Sequence, residues 1–143
     1  LENLRIAAEL HDIGKIAIPE AIINCDRKLT DAEYEAIKSH PQFAVDILKP
    51  IRFPEAITKA VLHHHERYDG SGFPSRKSGD ELPLECWVLS LAEDFVEFWE
   101  TSVSSYQGKI KEFFAGNAKH HHPDVVDALC GLVDSGELES LLS

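Results

Sequence analysis

The segment LENLRIAAELHDIGK, residues 1–15, sets the reading of the whole chain. Its apolar positions Leu4, Ala7, Ala8 and Leu10 recur three and four residues apart, the period of one helix face. Gly14 suits the left-handed turn that follows a helix. A helix over roughly Leu4 to Asp12 would therefore present His11 and Asp12 at its carboxyl end. The same grammar continues downstream. Thr30 and Glu33 have the T-x-x-E spacing of a capping box, with Leu29 and Tyr34 placed as a hydrophobic staple, which predicts a helix from near Asp31 to about His40. Pro41 suits the first turn of another, reaching about Leu48. Pro50 and Pro54 then break the chain and open a helix through Ile57, Ala60, Val61 and His64.

The segment Asp69 to Pro83 holds three Gly and two Pro and reads as an extended loop. A long helix follows from Pro83 to about Glu100, with Leu84, Val88, Leu91, Ala92 and Phe95 inward. Shorter helices are predicted around Lys109 to Phe114, Pro123 to Val133 and in the last residues, with Gly116, Gly131 and Gly136 as punctuation. No strand pair, linker or internal repeat interrupts this pattern. The expectation is an all-α chain, one domain over residues 1–143.

Composition narrows the function. Fourteen Lys and Arg stand against 25 Asp and Glu, a formal net charge of 14 − 25 = −11. A duplex nucleic-acid module carries a basic face to replace counterions, so that class is excluded. No apolar run approaches the roughly 18 residues of a membrane span, so no membrane association is expected. Cys25, Cys86 and Cys130 lie far apart without CxxC spacing, which argues against a zinc ribbon or disulfide framework and suits a reducing cytoplasm. Each reads as a buried small side chain. The chain opens at Leu1 and contains no Met, so the expectation is a fragment.

Eight histidines in so acidic a chain supply imidazoles beside carboxylates, the donor set of first-row metal sites. Three clusters, His11-Asp12, His40 and His64-His65, fall at or near predicted helix ends, where a bundle could gather them. Adjacent helix residues differ by about 100° and do not readily share one ion. A carboxylate on Asp12 could instead bridge two, with His11 serving one of them. Any one of these histidines alone fits a capping role at a helix end as well; the joint pattern is the stronger indication.

In this order the residues resemble the HD-GYP family of HD-superfamily phosphohydrolases. The resemblance rests on His11-Asp12-Ile13-Gly14-Lys15, His40-Pro41, and His64-His65-Glu66-Arg67 leading into Asp69-Gly70-Ser71-Gly72-Phe73-Pro74, with Lys28-Leu29-Thr30 and the His-Pro-Asp-Val-Val run near Val125 in support. It implies a helical bundle with two or three divalent metal ions, iron or manganese, hydrolysing cyclic di-GMP in the cytoplasm of a signalling bacterium. Carried over by position, His11 and Asp12 match the HD ligands, with Asp12 bridging. His40, His64 and His65 match ligands of the second ion, and Lys15 matches the lysine that approaches the scissile phosphate. A late-helix aspartate in a string like A-D-x-F completes that family's set. Here Ala92-Glu93-Asp94-Phe95 stands in its place, so Glu93 takes the ligand position and Asp94 takes it if the register slips. Asp69, Gly70, Gly72, Phe73 and Pro74 match the substrate loop. The implied chemistry is that of two ions about 3.5–4 Å apart sharing a hydroxide that attacks phosphorus in line, with Lys15 stabilising the growing charge.

The chain departs from that pattern in four ways. Phe73 replaces the tyrosine of the GYP triplet, so a phenolic hydroxyl is missing. Glu93 replaces an aspartate. From Phe95 to Ser105 there is no Lys or Arg where the family places basic residues on the nucleotide. The upstream helix that supplies a further ligand is not contained in the sequence. Two other readings follow from these departures: a degenerate regulatory module that keeps metal and binds a signalling protein through the Ser71 to Ser78 loop, or a phosphohydrolase for another nucleotide. His63 is expected on a helix surface, and His120, His121 and His122 in a capping turn. Trp87 and Trp99 are expected in the core or at an interface.

Overall fold

The computed structural model describes residues 1–102 and 106–142, and among these it contains helices and turns but no strand. In chain order the helices are α1 (Glu2–Leu10), α2 (Glu20–Ile23), α3 (Asp31–Ile37), α4 (His40–Leu48), α5 (Glu55–His63), α6 (Leu84–Thr101), α7 (Tyr106–Asn117), α8 (Pro123–Asp134) and α9 (Glu137–Leu142). Helix α5 packs between α1, α4 and α6, and α6 in turn carries α7 and α8. The core therefore runs from Ala7, Ala44, Leu48, Ile57 and Val61 on one side to Trp87, Phe95, Phe113 and Leu129 on the other.

Local chemistry explains the start of α3. The Thr30 hydroxyl accepts the Glu33 amide at 3.3 Å, while the Glu33 carboxylate accepts the Thr30 amide at 2.8 Å, a complete capping box. Phe113 is fully buried and packs edge-on against Phe95 at 5.1 Å between ring centres. A side chain of that size contributes on the order of 3 kcal/mol by burial.

The structure corrects the sequence reading at several points. Helix α1 stops at Leu10, so His11 and Asp12 lie just past it, and a 3-10 turn over Ile13–Ala17 follows. Gly14 belongs to that turn and is absent from the residues with positive φ. Its role is close approach: a Cβ there would stand 1.9 Å from the His40 carbonyl oxygen and 2.5 Å from the Ala44 amide. The small residue lets the turn lie directly on α4. Gly116 and Gly131 fall within α7 and α8, where the helix simply continues through them. On α6, Leu84 is 49% exposed and Ala92 also faces out, whereas Cys86, Trp87, Leu89, Ser90, Leu91 and Phe95 are buried. The inward face is thus set by the aromatic residues that fill the core rather than by the Leu84 stripe. Cys86 is buried as expected, but Cys25 and Cys130 are half-buried, and all three thiols are free. Trp87 is core. His63 is buried, not on the surface, with its Nδ1 3.5 Å from the Glu66 carboxylate. Of the late acidic stretch, Val103, Ser104 and Ser105 lie outside the described residues.

Candidate metal centre

Helix ends build the site. The last carbonyls of a helix have no intrahelical partner and are free to accept from a side chain. His11 follows α1, and its Nδ1 lies 2.7 Å from the Ala8 carbonyl. His40 follows the end of α3 and sits 2.8 Å from the Ile37 carbonyl. His64 follows α5 and sits 2.7 Å from the Val61 carbonyl. In each case an Nδ1–H donated three residues back fixes the ring and leaves Nε2 with a free lone pair, the arrangement of metal-ligating imidazoles.

These Nε2 atoms converge. His40 Nε2 stands 3.2 Å from His64 Nε2 and 3.4 Å from Asp12 Oδ1. Glu93, from the middle of α6, reaches all three remaining histidines: His11 Nε2 at 3.9 Å, His65 Nε2 at 3.6 Å, and His64 Nε2 at 3.7 Å from its other oxygen. Asp12 Oδ2 is 3.5 Å from His11 Nε2. Two ligand sets result, His40 with His64 and His65, and His11 with Asp12 and Glu93, each with donor atoms within 4.8 Å of one another. Asp12 and Glu93 touch members of both.

Two observations test whether cations fit here. Asp12 Oδ1 and Glu93 Oε2 are buried without any hydrogen-bond partner, and such orphaned anionic atoms are costly unless a cation meets them. The donors are also of the right chemistry, imidazole nitrogen and carboxylate oxygen without thiolate. Both fit divalent first-row ions.

The electrostatics agree. Burial, then the charge of Asp12, push the Glu93 carboxyl up to about 7, and a nearby cation would supply the missing counter-charge. Burial holds His64 at about 3 and His65 at about 2, and lowers His40 too, so all three present neutral rings. Burial raises Asp12, but the Lys15 bond with the His11, Lys15 and His40 charges outweighs it and leaves the carboxyl below its ordinary value. Lys15 Nζ donates to Asp12 Oδ2 at 2.6 Å and stands at the mouth of the cluster.

Asp94 points elsewhere. It forms an ion pair with Arg67, whose Nη2 donates to Oδ1 at 3.0 Å, and its Oδ2 lies 3.2 Å from His121 Nε2. Among the described residues Glu93, not Asp94, shares the cluster with the histidines. His121, expected only to cap, is 2% exposed and backs this half-buried pair. His122 does cap α8, accepting the Asp124 amide at 3.1 Å.

The loop of Asp69, Gly70, Gly72, Phe73 and Pro74 lies against the cluster because Glu66 holds it there. Glu66 is fully buried, and its carboxylate accepts the Ser75 amide at 2.7 Å and the Lys77 amide at 3.1 Å. Gly72 runs so close to the preceding segment that a Cβ would stand 2.4 Å from the His65 carbonyl. Asp69 accepts the Ser71 amide and hydroxyl and meets His120 at 2.9 Å. Phe73 stacks on His65 with ring centres 4.7 Å apart. Glu66 and Arg67 stand in the sequence pattern without an assigned role. Glu66's partners lie nine and eleven residues on, in a segment with no periodic pattern to betray them.

A cavity of about 690 Å³ opens over Asp12, Lys15 and Glu93, and a second of about 830 Å³ continues it past Phe73 toward Arg76. Together they are large enough for a dinucleotide-sized ligand.

The helix ends of the bundle thus gather histidines and carboxylates beside an open groove, a donor set that could hold metal ions. The chain belongs to the HD domain family, whose pattern it matches over residues 1–115. It is 40% identical over 94 residues to the cyclic di-GMP phosphodiesterase response regulator RpfG of Xanthomonas campestris, covering 64% of this chain and 25% of that protein. It is 32% identical over 136 residues to a cyclic di-GMP phosphodiesterase of Thermotoga maritima, covering 91% of this chain and 37% of that protein. It is 30% identical over 136 residues to the 3'3'-cGAMP-specific phosphodiesterase 2 of Vibrio cholerae, covering 90% and 26%. The chain thus spans between a quarter and about two fifths of these relatives' length. A solved cyclic GMP-AMP specific phosphodiesterase of V. cholerae, V-cGAP3, shares the fold with a TM-score of 0.72 at 20% identity, over 96% of this chain and 39% of that one. No described helix is long and apolar enough to cross a membrane.

Proposed function

We propose that this chain is the catalytic module of a metal-dependent cyclic dinucleotide phosphodiesterase of the HD-GYP type, acting on cyclic di-GMP in bacterial cytoplasmic signalling. The observation that carries it is the pair of buried, unpartnered carboxylate oxygens, Asp12 Oδ1 facing His40 Nε2 and Glu93 Oε2 facing His64 Nε2, in a cluster that His11 and His65 complete. His11, Asp12 and Glu93 would hold one ion and His40, His64 and His65 another, iron or manganese suiting this mixed set. When bound, such ions supply Lewis acidity to the phosphoryl oxygens and a water of lowered pKa.

The chain's own groups do the rest. The three Nδ1–H bonds to Ala8, Ile37 and Val61 keep the rings from turning as substrate enters. Lys15 is held by Asp12 at the groove mouth, where its ammonium meets the charge that grows on the phosphoryl group. Neutral His64 and His65 stay available as ligands at any physiological pH. Substrate preference lies between cyclic di-GMP and 3'3'-cGAMP, since relatives of both names match at similar identity.

The reading in which the Ser71 to Ser78 loop captures a partner protein is the less favoured one. The loop's aromatic ring is turned onto His65 and lines the groove rather than standing outward.

The deciding experiment is elemental analysis of the chain with assay of cyclic di-GMP and 3'3'-cGAMP hydrolysis. Bound metal with release of linear dinucleotide or mononucleotide supports the reading, together with loss of both in Asp12→Ala. Metal with no turnover of either, and no effect of Asp12→Ala, overturns it.

A further inference from the structure

The groove beyond the metal centre has a composition that a chain of net charge −11 does not lead one to expect. Tyr34, Lys38, His65, Arg67 and Phe73 line both cavities, so the two are one continuous trough leading from Glu93 to Arg76. Lys38 Nζ stands 5.2 Å from the Tyr34 ring centre and 5.4 Å from that of Phe73, between the two aromatic faces. Tyr34 is 52% exposed and lines the trough, where its ring can meet a flat partner. Lys38 pairs with the exposed carboxylate of Glu35 at 2.8 Å, a solvent-facing pair of small net worth that an incoming anion can displace.

Arg76 is the more unusual feature. Its backbone is left-handed, φ 53°, a conformation that side-chain-bearing residues seldom adopt. It is held so because the amides on either side, Ser75 and Lys77, are both fixed to the buried carboxylate of Glu66. Exposed at the far end of the trough, its guanidinium has no ion pair among the described residues. Arg67, by contrast, is spoken for by Asp94. A rigidly presented, unpaired arginine and a lysine between two rings make a site for an anion flanked by planar groups.

We propose that Lys38 and Arg76 form a clamp for the non-scissile phosphate of a cyclic dinucleotide, with Tyr34 and Phe73 as stacking faces for a base. The proposal rests on the phosphodiesterase reading for its ligand, and it assigns the substrate-holding role to α3 and the loop. Helix α6 offers only Glu93, Asp94, Glu97 and Glu100 as charged groups to this trough. One end of the substrate would reach the metal centre while the other is held about the length of the trough away.

Equilibrium titration of the full chain with cyclic di-GMP and with GMP, which carries one phosphate, tests this. Arg76→Gly suits the left-handed backbone and Lys38→Gln keeps the stem, so both variants should melt near the parent, which thermal denaturation checks. Each is expected to reduce the preference for cyclic di-GMP over GMP about tenfold, and Arg76→Lys to restore part of it. A preference kept within about twofold in both variants, or a parent that does not bind cyclic di-GMP, overturns the clamp. A preference lost in the variants while the parent releases no hydrolysis product would leave the clamp standing and reject the catalytic reading.

Discussion

Gly14 lies so close to His40 that a Cβ on Gly14 would stand 1.9 Å from the His40 carbonyl oxygen. The contact welds the turn that carries Asp12 to the helix that begins with His40, and so sets the 3.4 Å approach of Asp12 Oδ1 to His40 Nε2. The neighbouring atoms are backbone and have nowhere to retreat, so Gly14→Ala must shift the turn. The expected cost is about 2–4 kcal/mol, at or above the upper end of ordinary overpacking. Urea denaturation measures that cost, and elemental analysis of the folded fraction should show reduced metal. An unchanged midpoint would show that the turn is free to move.

Much of this was legible in advance, and the parts that were not have physical reasons. Thr30 and Glu33 announce their helix because a capping box is a local device, complete within four residues. The histidines and Asp12 were legible as a set because each falls where a helix ends. The role of Gly14 is hidden in the sequence because a close approach to α4 leaves no trace in neighbouring residues, whereas a left-handed turn has a familiar composition. The burial of His63 is hidden for a similar reason. Its place is decided by Glu66 and the packed loop, not by the periodicity of α5. On α6 the pattern of apolar residues is broad enough to allow several inward faces, and the bulk of Trp87 and Phe95 selects one.

Glu93 and Asp94 are adjacent acids with opposite surroundings, and substitution separates them. Glu93 faces three imidazoles, and Asp94 faces Arg67 and His121. Glu93→Ala should weaken metal affinity by more than the roughly 10–100-fold that loss of an outer partner costs. Asp94→Ala should keep the metal but leave a half-buried guanidinium unpaired, lowering stability by about 1–2 kcal/mol. Metal titration and thermal melts of the two variants check this; a metal loss confined to Asp94→Ala would reverse the assignment.

Glu66 is fully buried and receives two loop amides, so its carboxylate is the peg on which the Phe73 loop hangs. Glu66→Gln retains the shape but offers one acceptor oxygen, facing an amine toward an amide that needs an acceptor. The expected loss is about 2 kcal/mol, and faster hydrogen exchange at Ser75 and Lys77 should accompany it. Equal exchange in parent and variant at those two amides would mean that the loop is held by other contacts.

The stability of metal-stripped protein should fall as the solution is acidified below neutrality, and the sign follows from which state takes up protons. Burial holds His64 at about 3, His65 at about 2 and His121 at about 4, and lowers His40 as well, against an ordinary value of 6.5. The unfolded chain therefore binds more protons than the folded one below pH 6.5. The histidine contribution is fully present above that pH and is lost progressively toward pH 3. Glu93 acts oppositely: raised to about 7 from 4.5, it favours the folded state below pH 4.5 and withdraws that support as pH rises through 7. Four imidazoles against one carboxyl leave the histidines dominant in the shared window. A loss on the order of 2 kcal/mol is expected between pH 7.5 and pH 5. In Glu93→Gln the opposing titration is gone, so its loss on acidification should be steeper and its stability at pH 8 relatively improved. Chemical denaturation of both proteins in chelator, at several pH values, reads these slopes directly, and parallel curves would remove Glu93 from the balance.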